Sequence, residues 1–93
     1  MTIGLLHLEF RIPGSRSLKD KRRVMNGLKE RLRNRYNCSV AELEYQDKWA
    51  RSRLAVCVVS GESAHVHSQL SEIARFAANY HAAELIDQSM ETF

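Results

Sequence analysis

Ten of the chain's 14 Lys and Arg residues lie between Arg11 and Arg35. Cations at that density suit one task above others, the neutralisation of a polyanion such as a phosphate backbone. Arg16, Lys19, Lys21, Arg22 and Arg23 crowd the start of a helical segment, just after the turn residues Pro13, Gly14 and Ser15. Arg22, Lys29 and Arg33 fall on one flank of that helix, with Asn26 beside them, as a row that can follow a phosphate backbone. Lys21 is out of place, because its position falls inside the apolar stripe. It either snorkels past the end of a sheet or aims into a site shared with the hairpin further on.

The arrangement runs against helix stability. Lys19–Arg23, Lys29–Arg33 and Arg31–Arg35 are like charges at i,i+4, each costing about 0.2–0.5 kcal/mol. The first turn, where the helix dipole favours acids, is crowded with cations, and only Asp20 and Glu30 offset them. The cluster therefore reads as an anion receptor in which the Gly-containing loop, Ser17 and the first-turn N–H groups take part. Against this stands a merely solvated basic face, the commoner fate of any single charge. Trp49, flanked by Lys48, Arg51 and Arg53, has the company of a base-stacking contact. A Trp in a hairpin more often folds back on a helix or caps a sheet edge, and that is the expectation for Trp49. Asp47 is expected to fix the turn or to pair with an Arg. The expected anion-binding residues are Arg16, Ser17, Lys19, Lys21, Arg22, Arg23, Lys29 and Arg33, with Trp49 and Arg51 as helpers.

Other chemistry is weakly supported. His65 and His67 are two positions apart and point about 200° from each other on a helix. No Cys or carboxylate stands at ligand spacing from them, so His7, His65, His67 and His81 are expected as surface residues without metal. Ser15, Ser17 and Cys57 lack a visible base or oxyanion arrangement. There is no phosphate-binding glycine loop, dinucleotide fingerprint or carboxylate pair. The chain is expected to be non-catalytic and to take no cofactor. Cys38 and Cys57 form no disulfide framework and read as half-buried thiols.

The positioning elements follow from periodicity. Ninety-three residues make one domain, with little room for a deep cleft. Residues 2–12 alternate, with Leu6, Leu8, Phe10 and Ile12 on one face, and predict a strand. Residues 18–36 switch to helical period through Leu18, Val24, Met25, Leu28, Leu32 and Tyr36, with Ser17 and Asp20 as a capping box and Asn37 as a left-handed terminator. Strands are expected over 39–46 and 53–60, a second helix over 62–79 through Val66, Leu70, Ile73, Ala74 and Ala77, and a last strand over 83–91 through Leu85, Ile86 and Met90. Strand, helix, strand, strand, helix, strand is the order of an α+β ferredoxin-like βαββαβ sandwich, a four-stranded antiparallel sheet with two helices on one face. Its open face, with Ile3 and Leu5, is too apolar to be simply solvated, so a partner or a second copy is expected there as the alternative function. The apolar start lacks the marks of a signal peptide and is cut short by Glu9 and Arg11, so a cytoplasmic location without membrane contact is expected.

At Gly14-Ser15-Arg16-Ser17-Leu18-Lys19-Asp20-Lys21-Arg22-Arg23 the chain resembles the YlxP-like family of bacterial proteins of unknown function. The stretches Arg35-Tyr36-Asn37-Cys38-Ser39-Val40-Ala41-Glu42 and Gln46-Asp47-Lys48-Trp49-Ala50-Arg51 resemble it too. Lys48 and Ala50 depart from the family pattern, which has an apolar and an amide residue there. The resemblance implies a ferredoxin-like fold and no particular activity. The family's genes lie near those for translation factors and ribosome maturation, which implies RNA, or the ribosome, as the polyanion.

Overall fold

The alternation at the start of the chain becomes β1 (Thr2–Arg11) in the computed structural model, which describes residues 1–44 and 48–93. Leu6, Leu8 and Phe10 are buried on one face of β1, while Ile3, Leu5, His7 and Glu9 stay half-buried on the other. The elements that follow are α1 (Leu18–Arg35), β2 (Ser39–Glu44), β3 (Arg51–Ser60), α2 (Ser63–Ala78) and β4 (Glu84–Thr92). The sheet order is β2-β3-β1-β4 with every neighbouring pair antiparallel. This is the α+β ferredoxin-like sandwich that the element order predicts. The roles expected of Asp47 lie outside the described residues, as does the end of the strand expected over 39–46.

α1 starts where its sequence dictates. Ser17 is extended, its hydroxyl accepts from the Asp20 N–H at 3.1 Å, and the Asp20 carboxylate accepts from the Arg16 N–H at 3.0 Å. This departs from the expected capping box: the Asp20 carboxylate reaches back one residue past the Ser17 cap, to the N–H of Arg16. The helix ends at Arg35, one residue before the expected end. Tyr36, extended at φ −129°, is the cap, and its N–H reaches the Leu32 carbonyl at 2.9 Å. The extended exit sets the Tyr36 ring edge-on to Phe76 of α2, 6.1 Å between centroids.

Met25, Leu28 and Leu32 of α1 and Val66, Leu70, Ile73, Ala74 and Ala77 of α2 share one core with Leu6, Leu8, Phe10, Leu54, Val56 and Val58 of the sheet. Both helices thus cover the same sheet face, and each fully buried aliphatic side chain contributes about 1.5–3 kcal/mol. Two glycines permit close approach. A Cβ on Gly4 would stand 2.8 Å from Leu70 Cδ1, so its absence lets α2 settle on β1. A Cβ on Gly27 would stand 2.9 Å from the Tyr80 hydroxyl, which donates to the Val24 carbonyl at 2.9 Å and ties the chain after α2 to α1.

β3 begins two residues before the expected start at 53, because the ladder with β1 continues to Arg11↔Arg51. β4 is an edge strand and its register shifts between Glu9 and Phe10, which leaves Ile86 without a facing residue on β1. Leu85 is half-buried, whereas Ile86 and Met90 are exposed. Among the described residues no helix is long and apolar enough to cross a membrane.

Candidate nucleic-acid interface

The cations separate by layer. Three arginines of the sheet point to the open face and meet carboxylates there: Arg11 with Glu84 at 2.7 Å, and Arg51 and Arg53 with Glu9 at 3.3 and 3.9 Å. On the helix side, Arg16, Lys19, Arg22, Arg23, Lys29, Arg31, Arg33 and Arg35 have no carboxylate partner among the described residues. Arg51 is therefore not brought to the cations of α1; the sheet lies between them.

Lys21 is the exception on α1. It is buried, its ammonium lies 3.1 Å from the Glu42 carboxylate, and it donates to the Lys48 carbonyl at 2.9 Å. Glu42 also accepts from the hydroxyl of Ser52, which is fully buried, at 2.9 Å. Of the two fates open to a Lys in the stripe, the structure shows the site shared with the hairpin. Its charge is directed inward. The Ser17 hydroxyl is likewise engaged as the helix cap, and the Asp20 carboxylate already sits at the helix start.

Beyond Lys19 in the first turn, the remaining cations of α1 form two rows. Arg22, Lys29 and Arg33 share the flank beside β2, where Arg33 donates to the Val40 carbonyl at 2.9 Å. Arg23, Arg31 and Arg35 lie on the side toward α2. The Arg31 guanidinium stands 5.2 Å from the centre of the Tyr80 ring, and that of Arg35 stands 5.2 Å from Phe76 and 5.9 Å from Tyr36. A furrow runs between the helices here, with Arg75 also on its wall. Near residues 13–15 a further hollow is lined by Asp20, Arg23, Val24 and His81.

Sequence reasoning did not single out Arg31, Arg35, Arg75, Tyr36, Phe76 or Tyr80 as ligands. The four-residue spacing of Arg31 with Arg35 places both on one side of α1, and Phe76 and Tyr80 stand at and just past the end of α2. That the two pairs meet is a tertiary fact.

Trp49 does not fold back; it is 53% exposed. Its turn is held at the end of the molecule where α1 begins, through the Lys48 carbonyl on Lys21 and the Ala50 carbonyl, which accepts from the Ile12 N–H at 2.9 Å. His65, His67 and His81 are exposed as expected, but His7 is not a surface residue. It is half-buried between β3 and β4, with Nε2 3.8 Å from Glu91 and Nδ1 buried without a hydrogen-bond partner among the described residues. Among those residues no cluster of three or more His, Cys, Asp or Glu stands in position to hold a metal. Cys38 and Cys57 are half-buried and unpaired as thiols. Burial pushes the Cys38 thiol above its ordinary pKa, and the nearby Arg33 charge offsets part of that rise.

A family model described as "Protein of unknown function (DUF503)" matches residues 3–90. The chain is also 31% identical over 78 residues to the uncharacterized protein YlxP of Bacillus subtilis (strain 168), covering 84% of this chain and 85% of that protein. The three stretches that suggested a YlxP-like protein lie within the matched region, and the chain belongs to the DUF503 family of YlxP-like proteins of unknown function.

Proposed function

We propose that the domain is a non-catalytic polyanion-binding module, RNA- or ribosome-associated, that grips phosphate with the outward side of its helix layer. The observation that carries this is the division of charge: eight cations of α1 and the loop before it lack a carboxylate partner among the described residues, whereas Arg11, Arg51 and Arg53 of the sheet are paired. Unpaired guanidinium and ammonium groups on one face retain the field that attracts a phosphate backbone. The contacting groups are Arg16, Lys19, Arg22, Arg23, Lys29 and Arg33, with Trp49 exposed at the same end. Lys21 and Ser17, turned to internal contacts, support the site from within.

A salt titration tests this. Affinity for a short RNA should fall linearly on a log–log plot, with a slope of about −0.7 per neutralised phosphate on a single strand. The triple variant R22E/K29E/R33E should weaken binding and flatten the slope. Absence of binding at low salt, or an unchanged triple variant, refutes the proposal.

The open sheet face supports a second reading, homodimerisation. Ile3, Leu5 and Cys57 are half-buried there and Val59 is 53% exposed, so an apolar patch adjoins the paired charges. Light scattering decides it: a dimer that persists in high salt supports the reading, and a monomer at all concentrations removes it.

A further inference from the structure

We infer that the furrow between α1 and α2 takes unpaired bases, so that the preferred polyanion is a single strand and not a duplex; this rests on the polyanion reading above. The furrow encloses about 630 Å³ and is lined in part by Arg35, Tyr36, Gln69, Arg75 and Phe76. Its walls are flat groups. Tyr36 and Phe76 meet at 82°, so their ring planes stand nearly perpendicular. Arg35 lies over both rings and Arg31 over Tyr80. An aromatic face and a guanidinium plane are the two surfaces on which an unstacked base settles. A guanidinium held by a ring keeps its N–H edge for a phosphate oxygen, so the same side chain serves base and backbone.

Charge points to the same occupant. Among the described residues, Arg31, Arg35 and Arg75 have no carboxylate partner and Glu72 is the one acid on the furrow. The walls are also held in place. The Tyr80 hydroxyl is anchored on the Val24 carbonyl, Gly27 admits it, and Tyr36 and Phe76 pack against the core. A duplex keeps its base faces stacked on one another and offers these walls only phosphates.

The test compares four probes by fluorescence anisotropy on the intact chain: a mixed-sequence RNA 12-mer, its duplex, an abasic 12-mer with the same phosphates, and polyglutamate of equal charge as a competitor. The single strand should bind about tenfold more tightly than the abasic strand, the size of one stacking contact. Phe76→Leu should lower single-strand affinity about tenfold at an unchanged salt slope. Because Phe76 touches the core, the exposed Arg35→Lys variant, which keeps the charge and loses the guanidinium plane, provides a second reading of the same loss. Equal affinity for the abasic and natural strands overturns the inference while leaving the polyanion reading intact. So does tighter binding of the duplex. Competition by polyglutamate as strong as by RNA points to an acidic protein segment and overturns it as well. No binding to any probe removes both proposals.

Discussion

The Lys21 ammonium lies 3.1 Å from the Glu42 carboxylate, so the one cation of α1 that enters the core is neutralised by the strand it reaches. The Lys48 carbonyl and the Ser52 hydroxyl join the cluster. One bond network thereby fastens the first turns of α1 to β2 and to the turn that carries Trp49. Glu42→Gln removes a carboxylate from beside a buried ammonium and should destabilise by about 3 kcal/mol, whereas Lys21→Met combined with Glu42→Leu should cost less than the single change. Urea unfolding of the single and double variants checks this, and additive losses would show that the pair is not coupled.

Gly27→Ala ordinarily strengthens a helix by about 1 kcal/mol. Here the new methyl group meets the Tyr80 hydroxyl at 2.9 Å, so the change should destabilise by about 1 kcal/mol instead. Tyr80→Phe in the same chain removes the obstructing oxygen and should restore part of the helix-propensity gain. Thermal unfolding of both variants gives the sign.

Arg51 and Arg53 face Glu9 on the open side of the sheet, and Arg31 and Arg35 face the furrow. Arg31→Ala/Arg35→Ala should therefore weaken RNA binding by about tenfold or more, while Arg51→Ala/Arg53→Ala should change it less than twofold, as for side chains outside the contact. Equal losses in a binding titration would place the nucleic acid elsewhere.

The raised pKa of Cys38 makes its thiolate scarcer at pH 8 than that of a free thiol. In a Cys57→Ser background, Cys38 should be alkylated more slowly in the native protein than in urea at that pH. A thiol whose pKa is higher folded than unfolded stabilises below the ordinary thiol range, and that contribution is lost as pH rises through the folded value. Unfolding followed from pH 7 to 10 in Cys38 and Cys38→Ala chains isolates it.

The fold was legible because its signals are local. Leu6, Leu8 and Phe10 alternate, the run through Val56 and Val58 has room only for a central strand, and Ser17 with Asp20 marks a helix start. Lys21 was recognisable as misplaced by its position on the helical wheel, but Glu42 as its partner was not, since 21 residues separate them. Ile86 and Met90 marked the last strand, but periodicity does not reveal that β4 is an edge on which both stay exposed. His7 looked like a surface residue because its flanking strands were unknown. For the candidate site, the count and crowding of cations were visible in one dimension. Which of them would find carboxylates was decided by sheet register, through Glu9↔Arg53 and Arg11↔Glu84.

The same register leaves Asp87 and Glu91 on the open sheet face, behind a helix layer of uncompensated cations. The molecule therefore has an electric dipole across its thickness. A negatively charged body approaching from any side exerts a torque on it and turns the helices forward before contact, so orientation is settled during diffusion and fewer collisions are wasted. Added salt shortens the reach of that torque to within about 10 Å at 0.1 M, and should slow association more than it hastens release.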